Sequence, residues 1–414
     1  VPTSIISRWA VQACLAVPIL APATSAALAQ DVPLAPPANF EQGADLNFGG
    51  FAFFNRLQTG LQATSNIRLD PTEKADTRTL IFLDSVARST WERHALAVTG
   101  SYQRQSAIRT AGQETDALSG TVSGRVDIGE EWSINGGLLH TETVIGQNDP
   151  QEFAGNLQGT TVEETVELGI TWTGKPWFAN LASRLNEVDN ETDIDVTSLA
   201  RVQAQDRTEF DVTMEIGRTF DWGQAYAFGG PIAIEYTGSD VVVTEDRNSV
   251  GVRGGIGFEG SHGPWRGLLR LGAFTQEFNA PTIGRATSFF GSAQLSWQAT
   301  DRVQIAGKLQ RSFDETNIET SAGLFTNLFS AGVLYQPVQD VYLRAGPSYR
   351  YYQIEGTTMT AHAFAIDGLA AWQVHPRIEL MVNGTISDQT VNDPFLAELE
   401  YGEAAITFST VLTF

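Results

Sequence analysis

The side chains best suited to moving protons in this 414-residue chain are five histidines, His94, His140, His262, His362 and His375. His94, His262 and His375 stand at predicted short turns, where an imidazole acts as a polar interfacial group. His140 and His362 fall toward the other end of their strands. His140 with Glu142 is the start of an acid–base pair, but no nucleophile is marked beside it and no G-x-S-x-G occurs. The segment Arg253-Gly254-Gly255-Ile256-Gly257 is glycine-rich, yet it sits mid-strand with no helix after it. It therefore reads as a place where backbone curves or approaches closely, not as a phosphate loop. No motif requires a cofactor or a metal, and no enzymatic activity is expected.

The remaining chemistry is electrostatic and aromatic. Strand parity turns Arg125, Arg184, Arg253, Arg266, Arg270, Lys308, Arg344 and Arg350 to one face. It turns Asp84, Asp127, Glu163, Glu167, Asp211, Glu215, Asp367, Glu379 and Glu403 to the same face. Facing rows of opposite charge would set a field that selects polar or charged solutes. Pairing across adjacent strands would instead stabilise a wet wall. Phe178, Phe290, Tyr342 and Tyr352 share that face. They could stack on the apolar faces of sugar rings, or pack against a loop folded inward. Glu187, Asp189, Glu191, Asp193 and Asp195 bunch in one expected loop, and Asp388, Asp393, Glu398 and Glu400 near another. Such acids form a solvated loop or a divalent-cation site close to lipopolysaccharide, although no regular metal-loop spacing is present.

The elements that carry these residues read as strands. From Phe51 onward the period is two. Val303, Ile305, Gly307 and Leu309 alternate with Gln304, Ala306, Lys308 and Gln310, and Phe210, Val212, Met214 and Ile216 with Asp211, Thr213 and Glu215. Eighteen strands are expected, with sixteen as the alternative, joined alternately by short and long connections. Trp91, Trp132, Trp172, Trp177, Trp222, Trp265, Trp297 and Trp372 all fall beside the short turns. Indole prefers a membrane–water boundary, so these tryptophans form the periplasmic aromatic girdle of a closed antiparallel transmembrane β-barrel, an all-β fold with long extracellular loops. A barrel this wide cannot be filled by its own side chains and encloses a wet lumen.

Composition agrees. Residues 1–29 read as a Sec signal peptide: Arg8 is the only charge, Ala10 to Ala23 is mostly apolar, and Ala27-Leu28-Ala29 precedes the cut. Cys14 lies within it, so the mature chain is cysteine-free and carries 25 Lys plus Arg against 48 Asp plus Glu, a net charge of −23. That acidity argues against nucleic acid as a partner. Residues 30–48 form a Pro-rich periplasmic lead-in or a disordered stretch, and 49–414 the barrel. No apolar run is long enough for a transmembrane helix. The last strand turns Ile406, Phe408, Thr410, Leu412 and Phe414 to one face. With its terminal Phe414 it resembles the signal that outer-membrane proteins show to the barrel-assembly machinery, centred on Phe408, Leu412 and Phe414.

The passage Thr90-Trp91-Glu92-Arg93-His94-Ala95-Leu96, after an opening strand containing Thr64-Ser65-Asn66, resembles the β-barrel porin 2 family of proteobacterial outer membrane proteins. The resemblance covers the layout from Phe51 to Phe414, and implies an integral outer-membrane barrel in contact with lipid and lipopolysaccharide. Its expected function is passage of polar solutes. Some members resemble barrels of polysaccharide export, which implies a dedicated exporter working with a periplasmic polysaccharide export protein as an alternative. A structural or adhesion barrel, with the acidic loops as its working part, is another. A soluble β-propeller would need four strands per repeat and Trp-Asp dipeptides, and none occurs.

Overall fold

The structure is a computed structural model. It describes Leu34 and residues 46–414 apart from 68, 70–73, 111–113, 146–158, 193–205, 238–245, 315, 317–320 and 393–399. The leader, and the lead-in up to residue 45 other than Leu34, lie outside the described residues.

Alternating side chains produce an alternating topology. A three-residue strand β1 (Leu46–Phe48) turns through Gly49 and Gly50, both at positive φ, into β2 (Phe51–Thr64). There follow β3 (Asp76–Ser89), β4 (Ala95–Ala107), β5 (Glu114–Ile128), β6 (Trp132–Ile145), β7 (Gly159–Trp172), β8 (Trp177–Thr192) and β9 (Arg207–Phe220). Next come β10 (Gly223–Tyr236), β11 (Ser249–His262), β12 (Trp265–Phe278), β13 (Arg285–Thr300) and β14 (Val303–Asp314). The last are β15 (Leu324–Val338), β16 (Val341–Ile354), β17 (Thr360–His375), β18 (Ile378–Val391) and β19 (Tyr401–Thr413). Each strand from β2 on pairs antiparallel with the next, and β19 pairs back onto β2 from Ala405↔Thr64 to Thr413↔Arg56. Phe414 and Asn55 exchange both backbone hydrogen bonds at 3.0 Å and complete the seam. The result is a closed barrel of eighteen long strands.

The connections alternate as expected. At one end they run from two residues (221–222) to five (90–94), and at the other from five (355–359) to fourteen (193–206). One expectation needs correction. Strand β8 continues to Thr192 and β18 to Val391, so Glu187, Asp189, Glu191 and Asp388 lie in strands, not in long loops. The ladder continues because its inward side stays satisfied: Thr165 donates to Asn186 at 2.6 Å, and Thr161 to Asn190 at 2.8 Å. Asp193, Asp195, Asp393 and Glu398 lie outside the described residues. Glu400 accepts a hydrogen bond from the Val391 backbone N–H at 3.3 Å.

The outer face of the cylinder is apolar. Leu138 on β6, Leu168 on β7, Leu181 on β8 and Ile256 on β11 are exposed, at 57%, 60%, 48% and 63%. Leu138 stands opposite Val166, and Ile256 opposite Leu271, also exposed. On β5 the exposed side runs through Leu118, Val122, Val126 and Ile128, ten residues along the strand. At a strand tilt near 40° that is about 25 Å of height, the hydrocarbon span of an outer-membrane barrel. A soluble protein does not leave a continuous belt of this kind in water.

Candidate functional site

The site is the inner wall. Ladder register carries one face around the whole cylinder, so each charged residue can be placed by its partner. Arg125 and Asp127, two apart on β5, form an ion pair at 3.0 Å. Arg184 on β8 reaches Glu163 at 3.5 Å and Glu167 at 4.0 Å on β7. Arg253 on β11 spans β10 to reach Asp211 on β9 at 2.7 Å and Thr213 at 3.1 Å. Arg270 reaches Glu215 at 3.6 Å, and Arg344 reaches Asp367 at 3.5 Å. Tyr342 donates to Glu379 at 3.4 Å, and Thr64 to Glu403 at 2.7 Å. Arg266 stands opposite Ser296, Lys308 opposite Gln294, Arg350 opposite Leu328, and Asp84 opposite Arg56, all on this same face. The ion pairs are local, within a strand or between strands one to three apart. They do not form facing rows of opposite sign.

Between the charges, β5 to β9 are lined by short polar groups. Asn135 donates to Thr171 at 3.3 Å, and Thr171 donates in turn to Asn180 at 3.2 Å. These rungs cross β6, β7 and β8 and satisfy the wall without closing it. Beyond the long-loop end of β8, burial raises the Asp206 carboxyl above the usual carboxylate range, while hydrogen bonds from the Asn190 backbone and side chain oppose that shift.

From β8 to β13 the lining changes. Two registers alternate rings with glycines. One runs Phe178, Gly217, Tyr226, Gly257, Arg270 across β8 to β12. The other runs Phe228, Gly255, Gly272, Phe290 across β10 to β13. A Cβ on Gly217 would come within 2.5 Å of the Phe178 ring, and one on Gly272 within 2.5 Å of the Phe290 ring. A Cβ on Gly257 would overlap Tyr226 Cζ. Phe178, Tyr226 and Phe290 therefore each extend over a neighbouring glycine. Successive centroids stand 6.2 Å (Phe178–Tyr226), 6.3 Å (Tyr226–Phe228) and 6.0 Å (Phe228–Phe290) apart. The Arg270 guanidinium caps Phe228 at 4.0 Å from its centroid. Tyr226 and Phe228 were not among the aromatics expected here. Their strand is apolar on both faces, because its outward positions are Ala225, Ala227, Gly229, Pro231 and Ala233, and parity alone could not orient it. The glycines at facing positions were the available signal.

Three apolar clusters also stand among the described residues. Phe274, Phe278, Ala286, Ala322 and Phe325 form one at the long-loop end, with Phe290 and Phe313 packed against it. Here the β13–β14 ladder ends at Gly291↔Arg311, short of both strand ends. The Arg311 guanidinium fills the step: Nε donates to the Phe289 carbonyl at 3.3 Å and a terminal nitrogen to Asn327 at 2.8 Å. Tyr352 belongs to a second cluster with Leu324, Ile354 and Ala361. Tyr342 belongs to a third, with Ala306, Leu334, Leu369 and Ala371, and Leu34 of the lead-in is buried among them. Tyr342 and Tyr352 are thus separate from the ring row that holds Phe178 and Phe290.

The tryptophans gather at the short-turn end. Trp265 and Trp297 stack at 5.0 Å and 6°, Trp132 and Trp172 meet at 6.4 Å, and Trp177, Trp222, Trp91 and Trp372 are about half exposed. Phe408, Leu412 and Phe414 are exposed on the outer face of the last strand. Of the histidines, His140 pairs with Glu164 at 3.2 Å, not with Glu142, and His362 with the Tyr349 hydroxyl at 2.6 Å. His94 accepts from the Asp127 N–H, and His375 from the Arg377 N–H, both at 3.2 Å. Among the described residues no group of His, Cys, Asp and Glu is arranged to hold a metal ion.

A search of curated proteins finds no match. Among solved structures the chain is similar to the outer membrane protein OpdK of Pseudomonas aeruginosa, at 10% identity over 87% of this chain and 99% of that one, with a TM-score of 0.48. It is also similar to the FrpB iron transporter of Neisseria meningitidis in its apoprotein form (9% identity, 90% and 82% covered, TM-score 0.48). A third is the alcaligin outer membrane receptor FauA of Bordetella pertussis (8% identity, 87% and 76% covered, TM-score 0.44). The profile of the family described as Putative beta-barrel porin 2 matches residues 42–409, and the chain belongs to that family.

Proposed function

We propose that this barrel sits in the outer membrane and gives polar solutes a water-filled passage across it. One observation carries the reading. A cylinder whose outside is continuously apolar is lined from β5 to β9 by hydrogen-bonded Thr and Asn and by locally paired charges. Local pairing leaves little net field along the wall, so the passage discriminates weakly by charge. The Trp end faces the periplasm and the long loops face outward, against lipopolysaccharide. Phe408, Leu412 and Phe414 serve the barrel-assembly machinery as its recognition strand. No catalytic step is assigned to any residue. Refolded into planar bilayers, the protein should give discrete, ohmic current steps and make liposomes permeable to small sugars. Silent bilayers together with impermeable liposomes would overturn the reading.

The seat of Leu34 on the inner wall favours a second reading, a dedicated exporter that stays shut until a periplasmic polysaccharide export protein engages it. Current that appears only after that partner is added would select this reading over the first.

A further inference from the structure

The ring row between β8 and β13 is built unlike the rest of the wall, and its construction points to a ligand. On the proposed reading of the barrel as a solute passage, we propose that Phe178, Tyr226, Arg270 on Phe228, and Phe290 form a track that binds the pyranose rings of an oligosaccharide as it crosses. Three features carry this.

The first is continuity. Phe178 is the second residue of β8, at the short-turn end. Phe290 lies on β13 and packs against the Phe274 cluster at the long-loop end, where Phe274 and Phe313 stand 4.7 Å apart. The row therefore climbs the wall diagonally from one mouth toward the other, with spacings of 6.0–6.3 Å from Phe178 to Phe290.

The second is posture. Here a Cβ on Gly217, Gly257 or Gly272 would strike the neighbouring ring, so Phe178, Tyr226 and Phe290 each reach across a glycine, with successive rings of the row inclined at 64°, 52° and 54°. A ring that reaches over a glycine is not covered by a side chain there and offers a face, and the faces of pyranoses carry C–H groups that stack on π faces as other apolar surfaces do. The Arg270 guanidinium covers Phe228 and continues the row with its own planar surface.

The third is charge. Arg253 and Arg270, the cations beside the row, are matched by Asp211 and Glu215 at 2.7 and 3.6 Å. A small aromatic carboxylate would find its cation already neutralised. A neutral polyol would find donors and acceptors of both signs flanking an apolar strip, which suits hydroxyls around a ring.

The test uses the full-length barrel, with maltohexaose and cellohexaose as probes and benzoate as the aromatic anion. Oligosaccharide should block single-channel current in a saturable way, and calorimetry on the detergent-refolded protein should give the same affinity. Tyr226→Leu and Phe290→Leu keep apolar bulk and remove the flat face. Each should weaken binding about tenfold, which corresponds to ~1.4 kcal/mol. Ser119→Ala on the polar wall should leave it unchanged. The track is refuted if neither sugar binds by calorimetry, if the leucine variants bind as tightly as the parent, or if benzoate binds more tightly than either sugar. A barrel that conducts but binds no sugar loses the track and keeps the passage. A barrel that binds sugar yet never conducts loses the passage and keeps the track.

Discussion

Two arcs of the inner wall, one from β5 to β9 and the other from β10 to β13, solve one problem differently. From β5 to β9 the inward positions are mainly Ser, Thr, Asn and paired charges, so the wall is wet, and Thr165, Thr171 and Arg184 are each held by a partner on an adjacent strand. From β10 to β13 rings and glycines stand among the inward positions and are held by shape: Tyr226 and Phe290 occupy the space that a missing Cβ leaves at Gly257 and Gly272 on the next strand. The first arc tolerates a changed side chain, because water can replace a lost partner. The second does not, because its fit is steric. The outward face is alike in both arcs, apart from the small residues of β10.

That contrast can be broken most severely from the lipid side. Leu138→Arg, near the middle of β6, should destabilise the folded barrel by ~2–4 kcal/mol in urea titrations from lipid vesicles, while Ser123→Arg on the adjacent inward face should change little. Next is the steric arc: Gly257→Val forces a Cβ into Tyr226 and should cost about 1–3 kcal/mol. Gly137→Val, inward on β6 with its nearest atom 3.8 Å away, should stay within about 0.5 kcal/mol of the parent. Equal losses in the two glycine variants would mean that the arcs are not held differently. The smallest effect belongs to the polar rungs. Thr165→Ala removes the 2.6 Å hydrogen bond to Asn186 and should lower stability by about 1 kcal/mol, with no loss of conductance.

The same contrast explains what the sequence disclosed. Where one face is polar and the other apolar, period two orients the strand and sets its length. Strands β6, β9 and β12 run from 132 to 145, 207 to 220 and 265 to 278, as expected from alternation. Where both faces are apolar, as in β10, alternation loses its sign, and Tyr226 and Phe228 were invisible as lining residues. Acidity misled in another way. Glu187 and Asp189 read as loop because a run of acids is usually solvated, but they occupy exposed outward positions of a strand whose inward side chains, Asn186 and Asn190, hold the ladder together. Ion pairing between β9 and β11 was not legible at all, because Arg253 and Asp211 lie 42 residues apart and meet only across an intervening strand.

The most direct measurement is a cysteine scan of β6 from Ser133 to Thr143, in a chain with its single cysteine, Cys14, replaced. In lipid vesicles the odd positions should react with a charged, membrane-impermeant thiol reagent. The even positions from Ile134 to Leu138 should resist it and react only with a lipid-soluble maleimide. Uniform labelling along the strand, or reactivity with the charged reagent at Leu138, would contradict a closed cylinder with lipid outside and water within.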